Sequence, residues 1–134
     1  MATRASDRAG VRLTANSEVC REITKGRLTL KLTARRIGND LLIVITGGEA
    51  HIGAVGAGNT CSGLASSSVI TMPGHRDDRI AKDAAELLAK KFDCNCAVVV
   101  GVHYDEITPQ EIKDVMIMSN SLISEMEVVL RTAE

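Results

Sequence analysis

The sequence predicts an α/β (α+β) domain: a mostly antiparallel sheet, ordered as a four-strand meander, helix, strand, helix, with both helices packed on one face. Three observations lead there. Residues 27–35 alternate apolar and polar side chains, the period of a half-buried strand; residues 76–92 and 109–131 repeat apolar residues at helical spacing; and residues 41–74 hold one formal charge and seven of the eleven glycines. A chain of 134 residues suits one core. Residues 1–16 are small and polar without a period, which predicts a mobile arm ahead of a single domain over 17–134.

In the first strand Leu28, Leu30, Leu32 and Ala34 share a face opposite Thr29, Lys31, Thr33 and Arg35. Gly38-Asn39-Asp40 supplies turn residues, and residues 41–46 form an apolar, β-branched run that reads as an interior strand. A tight turn at 47–50, a third strand over 51–57, a loop through Gly63 and a fourth strand over 66–72 complete the expected meander. After Pro73-Gly74 the period changes to Ile80, Ala84, Leu87, Leu88 and Phe92, with Asp77 and Asp78 at the start and Lys90 and Lys91 at the end, matching a helix dipole. The run "NCAVVVGV" is a buried fifth strand, and Thr108-Pro109-Gln110-Glu111 is a capping box with proline at the first helical position. That last helix has two apolar stripes: Ile112, Met116, Ser119, Ile123, Met126 and Leu130 make one, and Val115, Met118, Leu122 and Val129 widen it. The surplus predicts burial against a second subunit, hence a homodimer.

Composition excludes several classes. Sixteen basic and 17 acidic residues give a net charge of −1, without the basic excess that phosphate-backbone binding needs, so no nucleic-acid partner is expected. Phe92 and Tyr104 are the only aromatics, which removes base-stacking platforms and limits how a flat ring could be held. No apolar run approaches a membrane span and "MATRASDRAGVRLT" lacks the apolar segment of a secretory signal, so no membrane partner and a cytoplasmic protein are expected. Cys20, Cys61, Cys94 and Cys96 show neither a Cys-x-x-Cys pair nor zinc spacing, and read as buried, inert thiols.

The stretch "GGEAHIGAVGAG" resembles a nucleotide loop only superficially. Gly53 to Gly58 leads into "NTCSGLASSSVITM", which has no helical stripe, so the dinucleotide fingerprint fails, and no Gly-Lys-Ser/Thr follows to make a Walker loop. Glycines in strands mark places where something comes close: the protein's own helix, a second subunit, or a small molecule.

Polar residues gather beside glycine at Gly48-Glu49-Ala50-His51, Pro73-Gly74-His75-Arg76-Asp77 and His103-Tyr104-Asp105, and all three histidines lie there. The second segment offers a glycine, a helix start and Arg76, the makings of an anion seat; the plainer reading is that Asp77 caps the helix and Arg76 is solvated. His51, His75, His103 and Asp105 are donor types for a metal, but no two histidines have a diagnostic spacing, and no metal is expected. No serine or cysteine stands in an elbow or triad context, so the residues give catalysis no support without excluding it.

"GGEAHIGAV", "MPGHRDD" and "GVHYDEITPQEI", in that order, resemble the small LpdD-type proteins that accompany gallate decarboxylase and act as prenylated flavin chaperones. The resemblance covers residues 27–131. It implies a dimeric fold similar to the proteasome assembly chaperones, a non-catalytic role, reduced prenylated FMN as the carried ligand, and a UbiD-type decarboxylase as the recipient. The cofactor-binding residues expected on that view are Gly47, Gly48, His51, Gly53, Gly74, His75, Arg76, His103 and Asp105, with the ring lying against bare glycine backbone and the phosphate at Gly74 to Asp77. A protein-only assembly factor for gallate decarboxylase is the alternative.

Overall fold

The computed structural model describes residues 18–72 and 77–133; the arm expected over 1–16 lies outside them. The elements are β1 (Glu18–Lys25), β2 (Leu28–Ile37), β3 (Asp40–Gly48), β4 (Ala54–Cys61), β5 (Leu64–Thr71), α1 (Asp78–Phe92), β6 (Cys96–His103) and α2 (Pro109–Ala133). They form a mixed α+β fold with one six-stranded sheet in the order β1-β2-β3-β6-β4-β5.

The sheet corrects the expected four-strand antiparallel meander. β6 enters between β3 and β4, parallel to β3 and antiparallel to β4. Parallel neighbours cannot be joined by a tight turn, so the β4–β5 hairpin and α1 together make the crossover from β3 to β6. The two charge-free apolar runs thereby sit side by side in the middle of the sheet, paired from Leu41 with Cys96 through to Gly48 with His103. β1, not expected as a strand, pairs antiparallel with β2. Its period is hidden because Arg21 occupies a core-facing position between Val19 and Ile23, where it is 8% exposed and its Nε lies 3.0 Å from Glu125 Oε2 on α2.

Both helices cover one face, α1 over β4, β5 and β6 and α2 over β1 and β2. Leu30, Leu32, Ile43, Ile45, Val98 and Val100 point into that layer and are fully buried, each leucine or isoleucine contributing about 2 kcal/mol. Gly56 and Gly58 let α1 lie directly on β4: a Cβ at Gly56 would stand 2.7 Å from the Ala81 carbonyl carbon, and one at Gly58 2.5 Å from that of Ala85. Of the readings open for these glycines, the protein's own helix accounts for both.

Most of both apolar stripes of α2 is used within the protomer, so the expected surplus shrinks, although Ile112 of the first stripe stays 52% exposed. Val115, Met118, Leu122, Ile123, Met126 and Leu130 are all buried against the sheet. The uncovered surface is instead the other face of the sheet, where Leu42, Val44, Val55, Ala97 and Val99 are half-buried and Leu64 and Ile70 are 77% and 68% exposed. Among the described residues no helix is long and apolar enough to cross a membrane. The four cysteines are free thiols, but only Cys94 and Cys96 are buried; Cys61 is exposed and Cys20 half-buried, against the expectation of four buried ones.

Candidate functional site: an imidazole and carboxylate cleft at the end of the parallel strand pair

The parallel strands β3 and β6 end together, and the connection from β3 to β4 crosses their ends. Gly48 turns the chain with a φ of +64°, a conformation glycine adopts without strain. Glu49 N then donates to His103 O at 3.0 Å, and Gly53 N donates to Val100 O at 2.9 Å. Between these points the backbone of His51 lies against Gly101, where any side chain would collide with it. His51 is therefore placed by main chain, with a glycine beneath it.

His51 Nδ1 is 3.0 Å from Glu49 O. A carbonyl only accepts, so Nδ1 carries the proton and Nε2 faces Asp77 Oδ2, 3.8 Å away. Asp77 is 8% exposed, and its Oδ2 also accepts from Val102 N at 3.4 Å. The plain reading of Asp77 as a side-chain cap does not hold: α1 has no side-chain cap bond there, and the carboxylate turns toward the histidine instead. On the facing wall His103 Nε2 lies 3.2 Å from Asp105 Oδ1 and 3.9 Å from Glu49 Oε2. The two imidazoles meet edge to face, with centroids 6.4 Å apart. Glu49, Ala50, His51 and His103 line a cleft of about 320 Å³.

The structure thus brings His51, His103 and Asp105 together with Glu49 and Asp77. Gly74, His75 and Arg76 lie outside the described residues. At the glycines expected to floor the site, the space that a side chain would take is filled from within. Leu30 occupies the space at Gly47, the His103 carbonyl that at Gly48, and Asp77 Oδ2 that at Gly53. Among the described residues no group of His, Cys, Asp and Glu forms a metal cage.

Sequence reasoning did not place Arg27 here, and it gave Tyr104, within the His103-Tyr104-Asp105 segment, no role. Arg27 Nε and Nη2 donate to Glu111 at 2.8 and 3.0 Å, and Nη2 also donates to Asp105 O at 2.8 Å. The guanidinium lies 5.7 Å over the Tyr104 ring. Tyr104 Oη donates to Thr29 O at 2.9 Å and accepts from Thr29 N at 2.8 Å. The Glu111 carboxyl is held down to about 2, first by the Arg27 hydrogen bond and then by the backbone N–H of Thr108. The capping box was legible locally; its link to the β1–β2 turn has no local signal, because residues 27 and 111 meet only through the fold.

A second cavity of about 370 Å³ lies at the opposite end of the same strands, lined by Ile37, Leu41, Ala57, Ala97 and neighbours. Its titratable groups are committed elsewhere. Asp40 bonds Asn95 through both oxygens, and burial pushes the Cys96 thiol up to about 12.

A mixed six-stranded sheet with two helices on one face is a fold shared with chaperones. The chain matches a solved structure titled "Crystal Structure of a Novel Chaperone Complex for Yeast 20S Proteasome Assembly" with a TM-score of 0.60, covering 85% of this chain and 97% of that one at 14% identity. That likeness is one of fold. Residues 24–131 match the model of the prenylated flavin chaperone LpdD-like domain, and the chain belongs to that family. It is also similar to Protein LpdD of Lactiplantibacillus plantarum (strain ATCC BAA-793 / NCIMB 8826 / WCFS1), 34% identical over 93 residues, which span 64% of this chain and 65% of that relative.

Proposed function

We propose that this protein binds reduced prenylated FMN and delivers it to an apo UbiD-type aromatic-acid decarboxylase, as a cytoplasmic homodimer that catalyses no reaction itself. The observation that carries the reading is the meeting of His51 and His103 in one open cleft. It is supported by the match of residues 24–131 to a prenylated flavin chaperone family.

The residues present fit such a ligand in part by part. Imidazole edges and carboxylates suit the alternating acceptors and donors of a flavin's pyrimidine edge, and the volume is at the small end of ligand sites. Carboxylates at Glu49 and Asp105 disfavour a phosphate on their side of the cleft, and the phosphate is assigned to Gly74, His75 and Arg76, where the Arg76 cation offsets the neighbouring Asp77 carboxylate. The residues flanking that segment point the same way: Met72 N donates to Gly53 O at 2.8 Å, and Asp77 Oδ2 fills the space over the same Gly53. When bound, the flavin supplies no chemistry to this chain; the protein orients it and shields it. A shallow cleft without an aromatic clamp holds its guest loosely, which suits a carrier that must bind less tightly than the recipient.

The uncovered face of the sheet is the surface for the second copy. Half-buried Leu42, Val44, Val55 and Val99 lie at its centre, where a lone protomer would leave apolar area in water. The same face favours a second reading, a protein-only assembly factor whose partner is the decarboxylase polypeptide.

Anaerobic titration with reduced prenylated FMN, followed by absorbance, tests the first reading. Saturable binding that weakens in His51→Ala, His103→Ala and Arg76→Ala is the expected result. No binding by the wild-type protein, together with flavin-independent co-elution with a decarboxylase, gives the second reading instead.

A further inference from the structure

We propose that Arg27 is the positioning residue of the cleft: from the β1–β2 turn its guanidinium sets the β6–α2 connection, and through Asp105 the direction in which His103 points. The inference rests on the cleft being the prenylated FMN site.

The pair that aims His103 is weakly held by itself. Asp105 and His103 have side chains 88% and 46% exposed, and an exposed ion pair fixes little. The connection also contains Glu106 at a φ of +50°, an unfavourable conformation for a residue with a side chain. Something outside the segment must therefore hold it. Arg27 does so at two points, the Asp105 carbonyl and both oxygens of Glu111, while its face packs over Tyr104. Glu111 in turn accepts from Thr108 N at 3.1 Å, so helix start, connection and hairpin turn converge on one guanidinium. A lysine has one nitrogen and cannot span these acceptors.

The test uses two readouts on the full chain. Histidine ring resonances are followed across pH by NMR in the wild-type protein, Arg27→Lys and Glu111→Gln, and each is titrated anaerobically with reduced prenylated FMN. The expected result is a His103 titration curve displaced in Arg27→Lys while that of His51 stays in place, with affinity falling about tenfold. Glu111→Gln keeps the Thr108 N–H acceptor and should displace His103 in the same sense but less. A His103 curve unmoved in both variants overturns the proposal, whatever the affinity does. So does an equal displacement of both histidines with a fall in thermal stability, which is general loosening. If the wild-type protein binds no prenylated FMN, the functional reading falls, and the His103 curve still decides the role of Arg27.

Discussion

Gly56→Ala puts the packing of α1 on β4 to a direct test. The new Cβ would stand 2.7 Å from the Ala81 carbonyl carbon and nearer still to its oxygen, and ordinary contact begins at 3.4 Å, so the helix must recede by about 1 Å. The obstacle is helix backbone, which has no rotamer by which to yield. Overpacking of this kind costs about 1–3 kcal/mol, and the entropy gained by removing a glycine returns about 0.5 kcal/mol. A net loss of about 1.5 kcal/mol lowers the melting temperature of a chain of this size by about 5 °C. Circular dichroism melts of wild-type, Gly56→Ala and Gly58→Ala proteins measure it. Gly38→Ala is the comparison, since its φ of +60° sits over open space and only backbone strain of about 1 kcal/mol applies. A melting temperature unchanged or raised in Gly56→Ala would refute the argument that these glycines exist for helix packing. Lost flavin binding with unchanged stability would return them to the ligand.

Further outcomes follow from the same geometry. Glu111 has its folded pKa lowered to about 2 from 4.5, so its contribution to stability is fully present above about 4.5 and disappears as pH falls toward 2; chemical denaturation across that window should show a larger loss in wild type than in Glu111→Gln, which keeps the share of Asp114, also held low by Lys25. Val44→Lys puts a charge at the centre of the uncovered sheet face and should break the proposed homodimer, with light scattering expected to find a dimer for the wild-type protein and a monomer for the variant. Among the described cysteines, Cys61 should react with a thiol reagent first and Cys96 only after unfolding, because burial holds its thiol protonated up to about 12.

Local pattern made much of this fold legible. The alternation from Leu28 to Ala34, the helical spacing of Ile80, Ala84 and Leu88 and the capping box at Thr108 each identify their element, because each is a relation among residues a few positions apart. Strand order was not legible in that way. β3, β4 and β6 are similar apolar runs, and nothing within a run says that β6 lies between the other two. β1 escaped because Arg21, paired with Glu125, sits where the pattern asks for an apolar residue.

The site divides along the same line. The sequence by itself determined which residues could carry chemistry: it holds three histidines, each within two positions of a glycine or a carboxylate, and a segment order that resembles one family. Only the tertiary structure decided that His51 and His103 share a cleft, because that follows from β3 and β6 ending side by side. The structure also decided what stands where a side chain would be at several of the glycines. A glycine in a sequence reports that space is needed, and only the packed chain shows that a leucine, a carbonyl, a carboxylate or a helix takes it.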